Sequence, residues 1–213
     1  MATRTEHDSI GSIEVPAEAL WGAQTQRAMH FFGDAAAHGE RMPLKLVHAI
    51  ALIKQAAAAA NHSLGRLDAD RAARVQAAAA SVAAGEHDDQ FPLPVWISGS
   101  GTQTNMNVNE VIARVASSGT KRPRGADSLE TSPVKVHPND HVNASQSTND
   151  VFPSAIHVAT ALELSSRLLP ELDTMVRAHE EDLRSTHTKH RQHAHTHDTV
   201  DLWIHSHTYR HTV

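Results

Sequence analysis

A chain of 213 residues in which 40% are hydrophobic and only 4% aromatic is long enough to bury one sizeable core, and its alanine runs at 56–60 and 77–80 point to helices packed closely through small side chains. A formal charge of -5 without a basic block gives no reason to expect nucleic acid or an anionic membrane as partner. The lack of cysteine excludes disulfides, thiolate metal sites and thiol nucleophiles, so the expectation is a mostly helical soluble protein.

The opening residues MATRTEHDSIGS hold no apolar run of the signal-peptide kind, and no later segment approaches the ~18 apolar residues of a membrane span. A cytoplasmic location is expected. Residues 1–42 read as largely irregular, although 8–15 (DSIGSIEV) alternate apolar and polar about Gly11 as a short strand pair would, closed by Pro16. At 21–27 an indole stands beside a glycine and a run of amides (WGAQTQR); Trp21 either anchors a loop on the core or lines a site.

Pro43 suits the first turn of a helix, along which Leu46, Val47, Ile50, Ile53, Ala57 and Leu64 recur at three- and four-residue steps until Gly65 stops it. Asp68 can cap a second helix through Val75 and Val82 to Gly85. These two read as an antiparallel pair with no visible chemistry. His87-Asp88-Asp89-Gln90 follows, but adjacent residues on one loop rarely converge on one ion, so no metal is expected there. FPLPVW at 91–96 reads as an extended, proline-stiffened connector that buries its apolar residues.

Two polar clusters carry the functional signal. The first, SGSGTQTNMNVNE at 98–110, leads into helical apolar spacing at Val108, Val111, Ile112 and Val115. Gly99 and Gly101 let the backbone approach a ligand, while Ser100, Thr102, Thr104 and Asn105 offer hydroxyl and amide donors. A nucleotide phosphate loop is the alternative, but the GxxxxGK[ST] lysine and a preceding strand–helix repeat are both missing. The second, HPNDHVNASQSTND at 137–150, also runs into a helical pattern. Small polar side chains at a helix start suit an anion, because unpaired N–H groups and the positive dipole end lie there.

Between the clusters, 117–132 read as a surface loop whose basic run, Lys121 to Arg124, is solvated. After the second cluster Ile156, Ala159, Leu164, Leu168, Leu172, Met175, Val176 and Leu183 keep helical spacing, with Pro170 marking a kink or a new helix start. So long an apolar stripe needs neighbours, and a bundle shared between subunits is expected, with aggregation or low solubility if it is left bare.

WGAQTQRA at 21–28, GSGTQTNMNVNEV at 99–111 and HPNDHVNASQSTNDVFP at 137–153 together resemble the class II fumarate hydratases of the fumarase/aspartase superfamily, over residues 6 to 185. HPND with WGAQT is closer to fumarases than to aspartases. The resemblance implies a mostly α fold, with a small N-terminal helical domain over 1–136 and the first part of a long, tetramerising central bundle over 137–185. It implies reversible addition of water to fumarate, giving (S)-malate, without cofactor or metal. By motif match Ser100, Gly101, Thr102 and Asn105 would line the active site, and Ser147, Thr148 and Asn149 would grip the substrate carboxylates. His137, Pro138, Asn139 and Asp140 correspond to a second dicarboxylate site nearby. Chemically the match is apt. Proton removal next to a carboxylate builds a trianion, which preorganised hydroxyl and amide donors stabilise without acting as bases.

A general base and acid are also needed. Family members supply a Thr-His pair from the central bundle and a GSSxMPxKxNP loop bearing the catalytic serine and a substrate-binding lysine. That loop does not occur in the 213 residues, so no catalytic residue is assigned. Basic residues before HPND are partly matched, with Val134 and Lys135 in their place. Residues 186–213 form a separate tail holding eight of the 18 histidines and no helical apolar period. As an extended strand it would put His193, His195 and His197 on one face, with His205 and His207 repeating the spacing, as a metal-binding tract does. The preferred reading is a shifted reading frame or a truncation. Thr196-His197 lies near the place of the family's Thr-His pair, but its flanks do not match, and His197 is not taken as the catalytic acid.

Overall fold

A computed structural model describes residues 2–35, 39–118 and 134–193 of the chain. It comprises two compact units, Met1–Ala161 and Leu162–Val213. The fold is mostly helical, as expected.

The first unit opens with a hairpin of β1 (Thr3–Asp8) and β2 (Gly11–Pro16), antiparallel from Thr3 opposite Pro16 to Asp8 opposite Gly11. The strand pair was legible at 8–15, but β1 was not, because TRTEHD contains no apolar residue. Polar side chains hold it instead. Asp8 Oδ1 accepts the N–H groups of Ile10 and Gly11 at 2.9 and 3.1 Å. Arg27 clamps the same carboxylate through two N–H groups, at 2.9 and 3.0 Å, and this keeps the Asp8 carboxyl below its ordinary pKa. Arg4 donates to the carbonyls of Pro16, Ala17, Ala19 and Trp21, so one guanidinium shapes the approach to the first helix.

That helix, α1 (Ala23–Phe32), corrects the irregular reading of 1–42. Trp21 stands just before it, half-buried against the core, with its indole N–H donating to Gln26 Oε1 at 3.1 Å. It behaves as an anchor.

Helices α2 (Leu44–Ser63) and α3 (Ala69–Ala83) form the expected pair. Both end in the same motif: Gly65 and Gly85 take positive φ of 69° and 84°. Paired bonds from Gly65 to His62 and Arg66 to Asn61, and from Gly85 to Val82 and Glu86 to Ser81, satisfy the last carbonyls. Asp68 caps α3 by accepting the Arg71 N–H at 3.0 Å. Alanines at 51, 58, 72, 78 and 79 are buried beside Val47, Ile50, Val75 and Val82, which lets the helix axes come close. The core continues into α4 (Thr102–Ser118) through Val108, Val111 and Ile112, all fully buried. Leu64, expected in the apolar stripe, is 74% exposed because it follows the last helical residue. In the 91–96 connector Phe91 and Leu93 are buried as expected, but Trp96 is 65% exposed.

Residues 137–150 are less superficial than their composition suggests. A π-helical turn (Pro138–Val142) buries Val142, and α5 (Thr148–Glu163) then begins. Ser117 and Ser118 belong to the last turn of α4, whereas the basic run Lys121 to Arg124 lies outside the described residues.

In the second unit a π-helical turn (Leu164–Leu168) precedes α6 (Leu169–His193). Pro170 stands in the first turn of α6, where its missing N–H is tolerated. The helix runs to His193, past the point where the apolar period stops, so His193 is helical rather than part of an extended strand. His195, His197, His205 and His207 lie outside the described residues. Leu168, Leu169, Leu172, Met175, Val176 and Leu183 are all exposed. A stripe of this kind drives association, so the purified chain is expected to self-associate; small-angle scattering showing a monodisperse monomer would contradict this. No helix among the described residues is long and apolar enough to cross a membrane.

A candidate anion site between two helix starts

The first polar cluster folds into a glycine-bent loop and the first turns of α4. Gly99 and Gly101 have φ of 76° and 75°, a region that side chains disfavour. Gly101 has a second reason to be glycine: a Cβ there would overlap the ring of Phe152 on α5. Gly101→Ala is expected to lower stability by about 2–4 kcal/mol through both effects, measured as a drop in the urea midpoint. Around this bend Ser98 Oγ lies 3.0 Å from Ser100 Oγ and donates to Gln103 Oε1 at 2.6 Å, while Ser100 Oγ donates to Thr102 Oγ1 at 3.1 Å. Ser98, Ser100 and Thr102 are exposed.

The Gly101–Phe152 contact brings the start of α4 against the first turns of α5, and Asn105 joins them. Fully buried, its Nδ2 donates to Thr148 Oγ1 at 3.1 Å and to Asn143 Oδ1 at 3.2 Å. Its Oδ1 has no hydrogen-bond partner among the described residues. Thr148 is the first residue of α5, Ser147 Oγ accepts the Asn149 N–H at 3.3 Å, and Ser147 and Asn149 are exposed. Thus Ser100, Gly101, Thr102, Asn105, Ser147, Thr148 and Asn149 cluster at two adjoining helix N-termini, where backbone N–H groups and dipoles favour negative charge.

Beneath this surface lies a side chain that sequence reading missed. Lys54 on α2 is fully buried. Its Nζ donates to Asn143 Oδ1 at 2.7 Å and Gln146 Oε1 at 3.1 Å, and burial pushes its pKa down to about 7. Asn143 Oδ1 also accepts Asn109 Nδ2 at 3.3 Å. Asn61, another polar residue on the buried face of α2, donates to Ala144 O at 2.9 Å. The helical pair thus sends two polar side chains into the 143–146 turn. The missed signal was helical spacing itself, since 47, 50, 54, 58 and 61 share the inward face of α2.

Glu110 was also passed over. Its carboxylate accepts the N–H groups of Gly22, Gln24 and Thr25 at 2.9, 2.8 and 3.1 Å, and the Thr25 hydroxyl at 2.6 Å. It caps α1 from a different helix. Burial raises its pKa, and these four donors oppose that rise. Gly22 makes the approach possible, since a Cβ there would sit 2.9 Å from Glu110 Oε1.

His137, Pro138, Asn139 and Asp140 form a separate group at the π-helical turn. His137 Nδ1 accepts the Asp140 N–H at 3.2 Å and lies 3.1 Å from Asp140 Oδ2, and the His137 N–H donates to His141 Nδ1 at 2.8 Å. Burial and the nearby Arg71 guanidinium lower the His141 pKa. At the 87–90 turn, His48 Nε2 pairs with Asp88 Oδ1 at 2.7 Å, while Gln90 Oε1 accepts the Leu20 N–H at 2.7 Å.

A family profile described as Lyase matches residues 11–190. The chain belongs to this lyase family. Within the family it is homologous to class II fumarate hydratases: it is 55% identical over 175 residues to the one from Prochlorococcus marinus, covering 82% of this chain and 36% of the relative. The class II fumarate hydratase of Nitrosomonas europaea is 54% identical, with 81% and 35% covered. The chain thus spans about a third of the length of these relatives. Among solved structures, the class II fumarase of Schistosoma mansoni superposes with a TM-score of 0.73 at 41% identity, covering 83% of this chain and 35% of that one. A fumarate lyase/delta crystallin from Brucella melitensis gives a TM-score of 0.67 at 40% identity, over 77% and 34%.

Proposed function

We propose that the chain is part of a hydro-lyase that reversibly hydrates fumarate to (S)-malate. The observation that carries this reading is the junction of the two helix starts through Asn105 and Thr148, in a chain homologous to class II fumarate hydratases. Ser147, Thr148 and Asn149 would grip the substrate carboxylates, Ser100, Gly101 and Thr102 would line the site where charge builds after proton removal, and the buried Asn105 would line it from beneath by holding Thr148 in place. His137, Pro138, Asn139 and Asp140 would form a second dicarboxylate site. The domain division at 136/137, a cytoplasmic location and a homotetramer assembled through the exposed stripe of α6 complete the proposal.

No residue of the 213 supplies the GSSxMPxKxNP serine and lysine of the family, so the chain alone should bind fumarate weakly and turn over none. Loss of fumarate absorbance with purified chain tests this, and clear turnover would overturn it. The reaction itself is tested by exchanging the aligned segment of the Prochlorococcus marinus enzyme for this chain's residues 11–190. Hydration of fumarate by that chimera is expected. Addition of ammonia in place of water would favour an aspartase-type lyase, and a folded chimera doing neither would leave a non-catalytic helical interaction module.

A further inference from the structure

Among the described residues, Lys54 is a fully buried cation whose presence the donor array does not by itself explain. An ammonium withdrawn from water is costly unless an anion or several strong acceptors compensate it. Here its two acceptors are neutral amide oxygens, those of Asn143 and Gln146. Charged groups on the packed elements are engaged elsewhere: Arg71 with Asp68 and Arg74 with Asp70 on α3, Glu110 with the start of α1, Arg114 with Glu6, and His137 with Asp140 at the π-helical turn. His141 accepts the His137 N–H, and on α2 itself His48 pairs with Asp88 and His62 with Leu67 O. None bonds to Lys54 among the described residues.

The amides lead from Lys54 to the surface. Asn143 Oδ1 takes the Lys54 ammonium and Asn105 Nδ2 together, and Asn105 Nδ2 in turn reaches Thr148 Oγ1. Three hydrogen bonds thus join the buried cation to the first residue of α5. Gln146 Nε2 donates to Val142 O and Ala144 O, and Asn143 Nδ2 to Gln146 O, so the Lys54 acceptors also set the backbone that delivers Ser147 and Thr148.

We propose that Lys54 is a positioning residue of the anion site, the buried cation that orients Asn143, Gln146 and through them Asn105 and Thr148, and whose ammonium form is stabilised when a dicarboxylate binds above it. This rests on the dicarboxylate reading of the two helix starts. Binding then takes up a proton. Affinity gains fully below the free-state pKa of about 7 and loses that gain as pH rises through the higher pKa of the bound state, because linkage is reciprocal.

The test is lysine 13Cε and 15N amide NMR on the full chain from pH 5.5 to 10, with fumarate taken to saturation against sodium chloride of equal ionic strength. Lys54→Met identifies the Lys54 signal by its loss and keeps most of the aliphatic stem. The expected result is a Lys54 midpoint near 7 that rises by about one unit or more with fumarate, matched by fumarate binding about tenfold tighter at the acid end. Lys54→Met should weaken fumarate about tenfold and remove the pH dependence. If fumarate perturbs the amides of 100–105 and 147–149 while the Lys54 midpoint stays put, the proposal fails and the dicarboxylate reading stands. If those amides do not respond, both fail.

Discussion

Glu110→Ala is expected to lower the stability of the chain by about 3–5 kcal/mol, the scale set by stranding several buried donors at once. Three backbone N–H groups at the start of α1 and the Thr25 hydroxyl lose their shared acceptor, and α1 has no side-chain cap of its own. Such a loss is a large share of the 5–15 kcal/mol typical of a domain. Urea denaturation followed by circular dichroism measures it. Glu110→Gln keeps one accepting oxygen and should fall between wild type and alanine. Equal stability of the alanine variant and wild type would show that Glu110 does not hold the α1 terminus.

Lys54→Met is expected to act in the opposite direction, raising stability at pH 7 by about 1–4 kcal/mol, as replacing buried charge by apolar volume often does. Burial lowers the Lys54 pKa from 10.5 to about 7 in the folded chain. The unfolded chain therefore holds a proton there that the folded chain has released between those two values. Stability rises with pH across that window, by up to about 5 kcal/mol for a shift this large, and is lowest below pH 7. The methionine variant should lack this rise. Denaturation midpoints measured from pH 6 to 10 should therefore converge at the alkaline end; parallel curves for the two proteins would contradict the buried-cation account. A residue retained at a cost to stability suits a role in the site rather than in the core.

Much of this architecture was legible because local chemistry and tertiary structure agree. Pro43, Gly65, Asp68 and Gly85 bound the helical pair where their backbone preferences predict, and Val108, Val111 and Ile112 fill the core as their spacing requires. The polar clusters were legible too from their density of hydroxyls and amides, although Thr104, Asn105, Asn107 and Asn109 of the first turn out to be buried. What escaped shares one cause: groups whose role is set by a partner distant in sequence. Strand β1 depends on Arg4 and Arg27, not on apolar alternation. Glu110 sits within 104–113, a stretch of α4 buried on all sides, and its partners precede it by more than 80 residues. Lys54 lies 89 residues before Asn143. In both cases a charged residue on an inward helical face was the available sign. At 137–150 the composition suggested a surface throughout, whereas the middle of the stretch turns inward, where Asn143 and Gln146 hold Lys54 and Asn143 also meets Asn105 and Asn109 of the first cluster, and Thr148 meets Asn105 at the helix start.

The central claim is that the starts of α4 and α5 form a single site for a dicarboxylate. Amide chemical-shift mapping of the 15N-labelled chain at pH 6.5, with fumarate compared against sodium chloride of equal ionic strength, tests it most directly. Perturbations concentrated at 100–105 and 147–150, and lost together in an Asn105→Ala variant, are the predicted result. Perturbations confined to 137–141, or responses at only one of the two helix starts, would contradict it.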